Sequence, residues 1–175
     1  MRRVQGVLMV SCVLLTMQGH AASCPLPDMA DAPIHSIRCD FYRGTAAYRA
    51  EQYALAADYW NKVIAPQKVT ASDALLQSFS YNNLGYLSFF GYGLAVDQPK
   101  AIRYWLQAMK SGDAEPVYHL CHAYAEVEQL TYNRKLAITY CPEALRRYKA
   151  ISDKTPSDIN IMGQIQEYMK PLTHD

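Results

Sequence analysis

Apolar residues along this chain recur at three- and four-residue intervals, the period of a helix with one buried face. Leu75, Leu76, Phe79, Leu84 and Leu87 mark such a face behind the capping signal Thr70-Ala71-Ser72-Asp73, and predict a helix over 72–90. Gly91-Tyr92-Gly93 stops it, because glycine reaches backbone angles that other residues resist. Asp97 caps the next helix, with Pro99 in its first turn, and that helix runs to about Lys110. The same reading predicts helices over about 35–51, with Phe41, Gly44 and Tyr48 on one side, and over 54–64, ending before Pro66. Three more follow over 114–126, over 134–150 behind an Asn133 cap, and over 157–169, where Ile159, Met162, Ile165 and Met169 keep helical spacing. Pro142 lies inside the sixth helix and is expected to kink or restart it. No strand pattern competes, so the expected class is all-α.

The helices repeat as pairs. Ala56, Tyr59, Trp60 and Val63 recur as Ala101, Tyr104, Trp105 and Ala108, and again as Ala137, Tyr140, Cys141 and Ala144. The last two copies are 36 residues apart, and Leu84-Gly85 maps onto Leu120-Cys121 at the same spacing. The first copy is offset by 45, which places an insertion around Pro66 to Ala71. A fixed period in this range means stacked two-helix units, each unable to bury its apolar face alone. The expected units are 35–65, 72–113 and 114–151, with a capping helix over 157–170.

The first 23 residues read differently. Arg2-Arg3, an apolar run from Val7 to Met17 and the small residues Gly19 to Ser23 describe a secretory signal, too short to span a membrane as a mature helix. The expected location is therefore periplasmic or secreted, with no stable membrane span once the leader is gone. Cys24, Cys39, Cys121 and Cys141 then remain, and four exported thiols are most simply two disulfides. Three pairings exist on paper; the local one joins Cys24 to Cys39 and Cys121 to Cys141, the latter on facing helices of one unit. Ala21-Ala22-Ser23-Cys24 also admits a lipoprotein reading, against which stand the missing aliphatic residue three positions earlier and the odd thiol it would leave. Cys24 to Pro33 is expected to be an extended leading segment tied down by the first bridge.

About 150 mature residues suffice for one domain. Seventeen basic and 16 acidic side chains give a net charge of +1, so no overall field favours nucleic acid or an anionic membrane. No Gly-x-Ser-x-Gly elbow, cysteine–base pair or phosphate loop is present, so no catalytic residues are expected. His119, His122 and Glu126 lie on neighbouring helical turns, but their spacing is not that of a zinc helix and no third strong ligand stands out. No metal or cofactor is expected.

The second unit carries more than a period. Asn83-Leu84-Gly85-Tyr86-Leu87, Gly91-Tyr92-Gly93-Leu94, Asp97, Lys100-Ala101, Tyr104-Trp105, Ala108 and Gly112-Asp113 together resemble one full Sel1-like repeat, a relative of the tetratricopeptide repeat with a longer inter-helix turn. The turn shows as 16 residues from Gly85 to Ala101, against about 12 in a plain 34-residue tetratricopeptide unit. Unit one keeps Gly44, Ala56, Tyr59 and Trp60; unit three shows Val127-Glu128-Gln129 in place of Gly-x-Gly and cysteines in place of Gly85 and Trp105. The resemblance is firm over 80–113 and partial over 37–150, and its cysteine pair looks like those of exported, cysteine-rich Sel1-like proteins.

This resemblance implies a short α-solenoid whose concave wall binds a protein. In the tetratricopeptide register that wall takes Arg38, Tyr48 and Arg49 from unit one, Phe79, Asn82, Tyr86, Phe89 and Phe90 from unit two, and Tyr118, His122 and Glu126 from unit three. Aromatic and Arg enrichment suits a protein-binding patch, although Phe79 and Phe90 equally suit inter-repeat core. Among small exported proteins of this kind one role is immunity, holding a secreted antibacterial effector such as a type VI secretion phospholipase inactive; an envelope assembly or signalling adaptor, or a weak β-lactam hydrolase, are the alternatives. The partner implied is another protein, a secreted toxin or an envelope component, and not nucleic acid.

Overall fold

The computed structural model describes residues 24, 36–65 and 69–172. The leader and most of the leading segment after Cys24 lie outside the described residues. Among the described residues seven α-helices follow in order: α1 (Ile37–Arg49), α2 (Tyr53–Ile64), α3 (Ala71–Phe90), α4 (Gln98–Ala108), α5 (Glu115–Ala125), α6 (Arg134–Ala150) and α7 (Pro156–Met169). Single 3₁₀ turns over Met109–Ser111 and Lys170–Leu172 extend α4 and α7, and no strand occurs among the described residues.

Local chemistry sets the boundaries. Ser36, Thr70, Asp97, Asn133 and Thr155 each accept a hydrogen bond from the backbone N–H three residues on, and Thr70–Asp73 and Thr155–Asp158 complete reciprocal capping boxes. Gly91 closes α3 in the left-handed region, at φ +77°. Gly93, at φ +65°, lies so close to the start of α2 that a Cβ there would sit 2.7 Å from Tyr53 Cβ. The turn between α3 and α4 is thereby pinned to the first hairpin.

Consecutive helices pack as hairpins, α1 on α2, α3 on α4 and α5 on α6, with α2 against α3, α4 against α5, and α7 against α5 and α6. Two apolar clusters result. One joins Ala47, Ala56, Ala57 and Trp60 to Leu84 and Leu87; the other runs from Phe89 and Trp105 through Leu120 and Tyr148 to Ile165. Arg147 links the second and third hairpins, donating to the Met109 and Asp113 carbonyls at 3.1 and 2.8 Å while it pairs with Glu143 at 2.7 Å.

Three expectations need correction. α6 runs unbroken through Pro142. The carbonyl that loses its donor belongs to Ile138, on the solvent face, where water can satisfy it. Ile159 is 61% exposed; Ile161, Met162, Ile165 and Tyr168 form the packed side of α7 instead. Cys121 and Cys141 are bridged, with Cα atoms 4.6 Å apart, but Cys24 and Cys39 are not. Those two thiols share a hydrogen bond instead, and burial first, then that bond, push the Cys39 thiol up to about 11.

Candidate functional site

A belt of aromatic rings crosses the three hairpins. Tyr48 stands at the end of α1, Tyr53 at the start of α2, Tyr86 and Phe90 on the last turns of α3, and Tyr92 in the turn that Gly91 and Gly93 create. Ring centroids step from Trp60 to Tyr48 (5.8 Å), to Tyr53 (5.4 Å), to Tyr92 (5.3 Å) and to Tyr86 (5.7 Å, stacked). Tyr86 continues to Phe90 at 4.8 Å and to His119 at 5.9 Å, and His119 stacks on Trp105 at 4.9 Å. Such spacings are those of favourable aromatic pairs, so each ring fixes the next.

Within this belt lies a cavity of about 380 Å³, lined by Thr45, Tyr48, Trp60, Asn82, Asn83, Tyr86 and Glu115. Residues from α1, α2, α3 and α5 meet there. Asn82 and Tyr86 share a face of α3 one turn apart. Glu115, on the first turn of α5, is the one charged residue of the lining; its side chain is 53% exposed, at the mouth.

His119, whose Nε2 is 3.7 Å away, holds the Glu115 carboxyl below the usual carboxylate range, against burial and with help from the Asn82 amide. That distance is ion-pair reach rather than a hydrogen bond. Burial first, and then neighbouring phenols, raise Tyr48 and Tyr86, so both remain neutral hydroxyls. Asn82 is 5% exposed and its Oδ1 has no hydrogen-bond partner. The cavity therefore offers ring faces, hydroxyl oxygens, an amide oxygen and one carboxylate, all attractive to a cation. Thr45 Oγ1 donates to the Phe41 carbonyl of its own helix at 3.0 Å, and no serine, cysteine or histidine lines the cavity.

No family model, curated protein or solved structure matches the chain.

The expected binding residues divide into four groups. Tyr48, Asn82 and Tyr86 come together at the cavity. Tyr118 and His122 are covered by α7: the Tyr118 hydroxyl donates to Gln164 Oε1 at 2.5 Å, and His122 Nδ1 meets the Tyr168 hydroxyl at 2.7 Å. Glu126 lies near the same Tyr168, at the end of α5. Arg38 and Arg49 are exposed on α1 and line no part of the cavity. Phe89 needs correction, because at 2% exposure it packs on Trp105 at 5.2 Å and offers a partner no surface.

Sequence reasoning missed Glu115, Tyr53 and Tyr92. The Glu115-x-x-x-His119 spacing was a usable signal, since residues four apart share a helix face. Among the described residues no three His, Cys, Asp or Glu side chains converge on a metal-sized point. His119 faces Glu115 whereas His122 faces Tyr168.

Proposed function

We propose that this chain is an exported Sel1-like repeat protein, a short helical solenoid without catalytic activity, that captures another protein on the tyrosine belt of its first two hairpins. The observation behind this reading is the belt itself: four tyrosines from consecutive hairpins, Tyr48, Tyr53, Tyr86 and Tyr92, run in contact over the buried Trp60, all half-buried or exposed, beside a cavity without a nucleophile–base pair. Tyr and Trp give large, rigid contact area at low entropic cost, and such residues anchor protein interfaces. The specific role proposed is immunity, in which the trough holds a secreted antibacterial effector of the lipase type inactive in the periplasm. No helix among the described residues is long and apolar enough to cross a membrane.

The test mixes the purified protein with a secreted lipase-type effector, taken from the neighbouring genes, and follows binding by calorimetry and effector hydrolysis by lipid release. A stable complex that silences hydrolysis is expected, and Tyr48→Ala and Tyr86→Ala should each weaken it by about 30-fold, the effect of an interface anchor. Unchanged affinity in both variants, with helical content intact, would refute the trough. Turnover of a chromogenic β-lactam by the protein alone would instead establish an enzyme.

A further inference from the structure

We propose that the cavity beside Tyr48 and Tyr86 takes the cationic end of a lysine or arginine side chain carried by the partner protein. This rests on the reading of the trough as a protein-binding surface and names what that surface recognises.

Four observations converge on a cation. The lining holds a carboxylate, Glu115, and no lysine or arginine. His119 keeps that carboxylate ionised from behind, at 3.7 Å, without entering the lining. The walls are Tyr48, Tyr86 and Trp60, whose ring faces carry the negative lobes of their quadrupoles. Asn82 Oδ1 is a buried acceptor without a donor, at a residue that lines the cavity. An anion would be repelled by the Glu115 carboxylate, and a neutral apolar group would leave the Asn82 oxygen without a donor. An ammonium or guanidinium supplies donors to the exposed Glu115 carboxylate while its alkyl stem lies along the rings, close to the Asn82 amide. At about 380 Å³ the space admits one such side chain and excludes a folded element.

The experiment titrates the full protein with Nα-acetyl-lysine N-methylamide, and separately with the Nα,Nε-diacetyl form, which keeps the length and removes the charge. Binding is followed by NMR at Glu115, Tyr48 and Tyr86. The charged probe should bind with a Kd on the order of 1–10 mM, and the diacetyl form at least about tenfold more weakly. Glu115→Gln, on an exposed helix end, should abolish that discrimination while leaving circular dichroism unchanged. Equal response to both probes, or movement of resonances elsewhere only, overturns the proposal. The probe arm needs no partner. A responsive cavity in a protein that binds no effector would therefore overturn the proposed function and leave the cation site standing. A captured effector indifferent to Glu115→Gln would do the reverse.

Discussion

The second and third hairpins solve one packing problem with different chemistry. At the crossing of α3 and α4, Gly85 lets Trp105 lie flat against the helix, and Trp105 Nε1 donates to the Asn82 carbonyl at 3.2 Å. A Cβ on Gly85 would come 2.6 Å from Trp105 Cδ1. The first hairpin repeats this: Trp60 Nε1 donates to the Phe41 carbonyl at 3.3 Å, and a Cβ on Gly44 would meet that nitrogen at 2.5 Å. In both, the acceptor lies three residues before the glycine. In the third hairpin the same two positions are Cys121 and Cys141, joined covalently across α5 and α6. The turn differs too: where the second hairpin uses Gly91 and Gly93, the third is held by Gln98, which donates to Gln129 Oε1 at 2.5 Å and accepts from Leu130 N–H, and by Thr131 on the Ala123 carbonyl. A clasp of shape and a clasp of covalency are thus interchangeable at one point of the repeat, but they respond to different perturbations.

The largest effect should come from the shape clasp. Trp105→Ala removes a fully buried indole and is expected to cost about 3 to 5 kcal/mol in denaturant unfolding. Gly85→Ala should also destabilise, by about 1 to 3 kcal/mol through overpacking. Made on top of Trp105→Ala, it should become neutral or slightly stabilising, because alanine is the better helix former once the indole is gone. Additive costs in the double variant would break the equivalence of Gly85–Trp105 with Cys121–Cys141.

Much of this was legible in the sequence, for local reasons. The helices announce themselves through apolar period and through caps such as Asp97 and Asn133, which act within one turn. The equivalence of Gly85–Trp105 and Cys121–Cys141 also follows from the 36-residue spacing. The site was legible only in part, because it is assembled across hairpins. Tyr48, Asn82 and Tyr86 could be placed on one wall from register alone, whereas Glu115 reaches the cavity only through the way α5 packs against α4. The period also says that α7 is amphipathic without saying where it docks, so its cover over Tyr118 and His122 was invisible. Phe89 and Tyr86 are three residues apart on one helix, and the depth of each depends on the neighbouring hairpin.

The covalent clasp should show a smaller and conditional effect. Replacing Cys121 and Cys141 together by alanine releases a bridge across a sequence separation of 20 residues, worth about 3 kcal/mol in the chain-entropy account. Under excess reductant the native protein should lose nearly all of that advantage and melt close to the variant, while the Trp105→Ala deficit persists. Parallel deficits in both redox conditions would show that packing, rather than the bond, holds α5 to α6.

The smallest effect separates the hairpins by pH. Burial, and then the charge of His119, hold His122 below the usual imidazole range. Its Nδ1 meets the Tyr168 hydroxyl, and its Nε2 is buried without a partner. In the imidazolium both nitrogens carry an N–H, so Nδ1 can only donate to the Tyr168 oxygen while the buried Nε2–H has no acceptor. Burial, with Tyr118 and Glu126 adding to it, pushes that phenol up to about 12, so it stays neutral and gives the imidazolium no counter-charge. The folded pKa is depressed, so the unfolded chain takes up the proton first: stability is full above about pH 6.5 and falls as the pH drops through that value. The loss assigned to His122 belongs to the contact of α5 with α7, where its ring meets Tyr168. His122→Gln should flatten the melting temperature over that window. The fall below about pH 4.5, where Glu115 loses its ionised contact with His119, should remain. A His122→Gln protein with an unaltered pH profile near neutrality would move the titration off α5 and leave the two hairpins distinguished by redox alone.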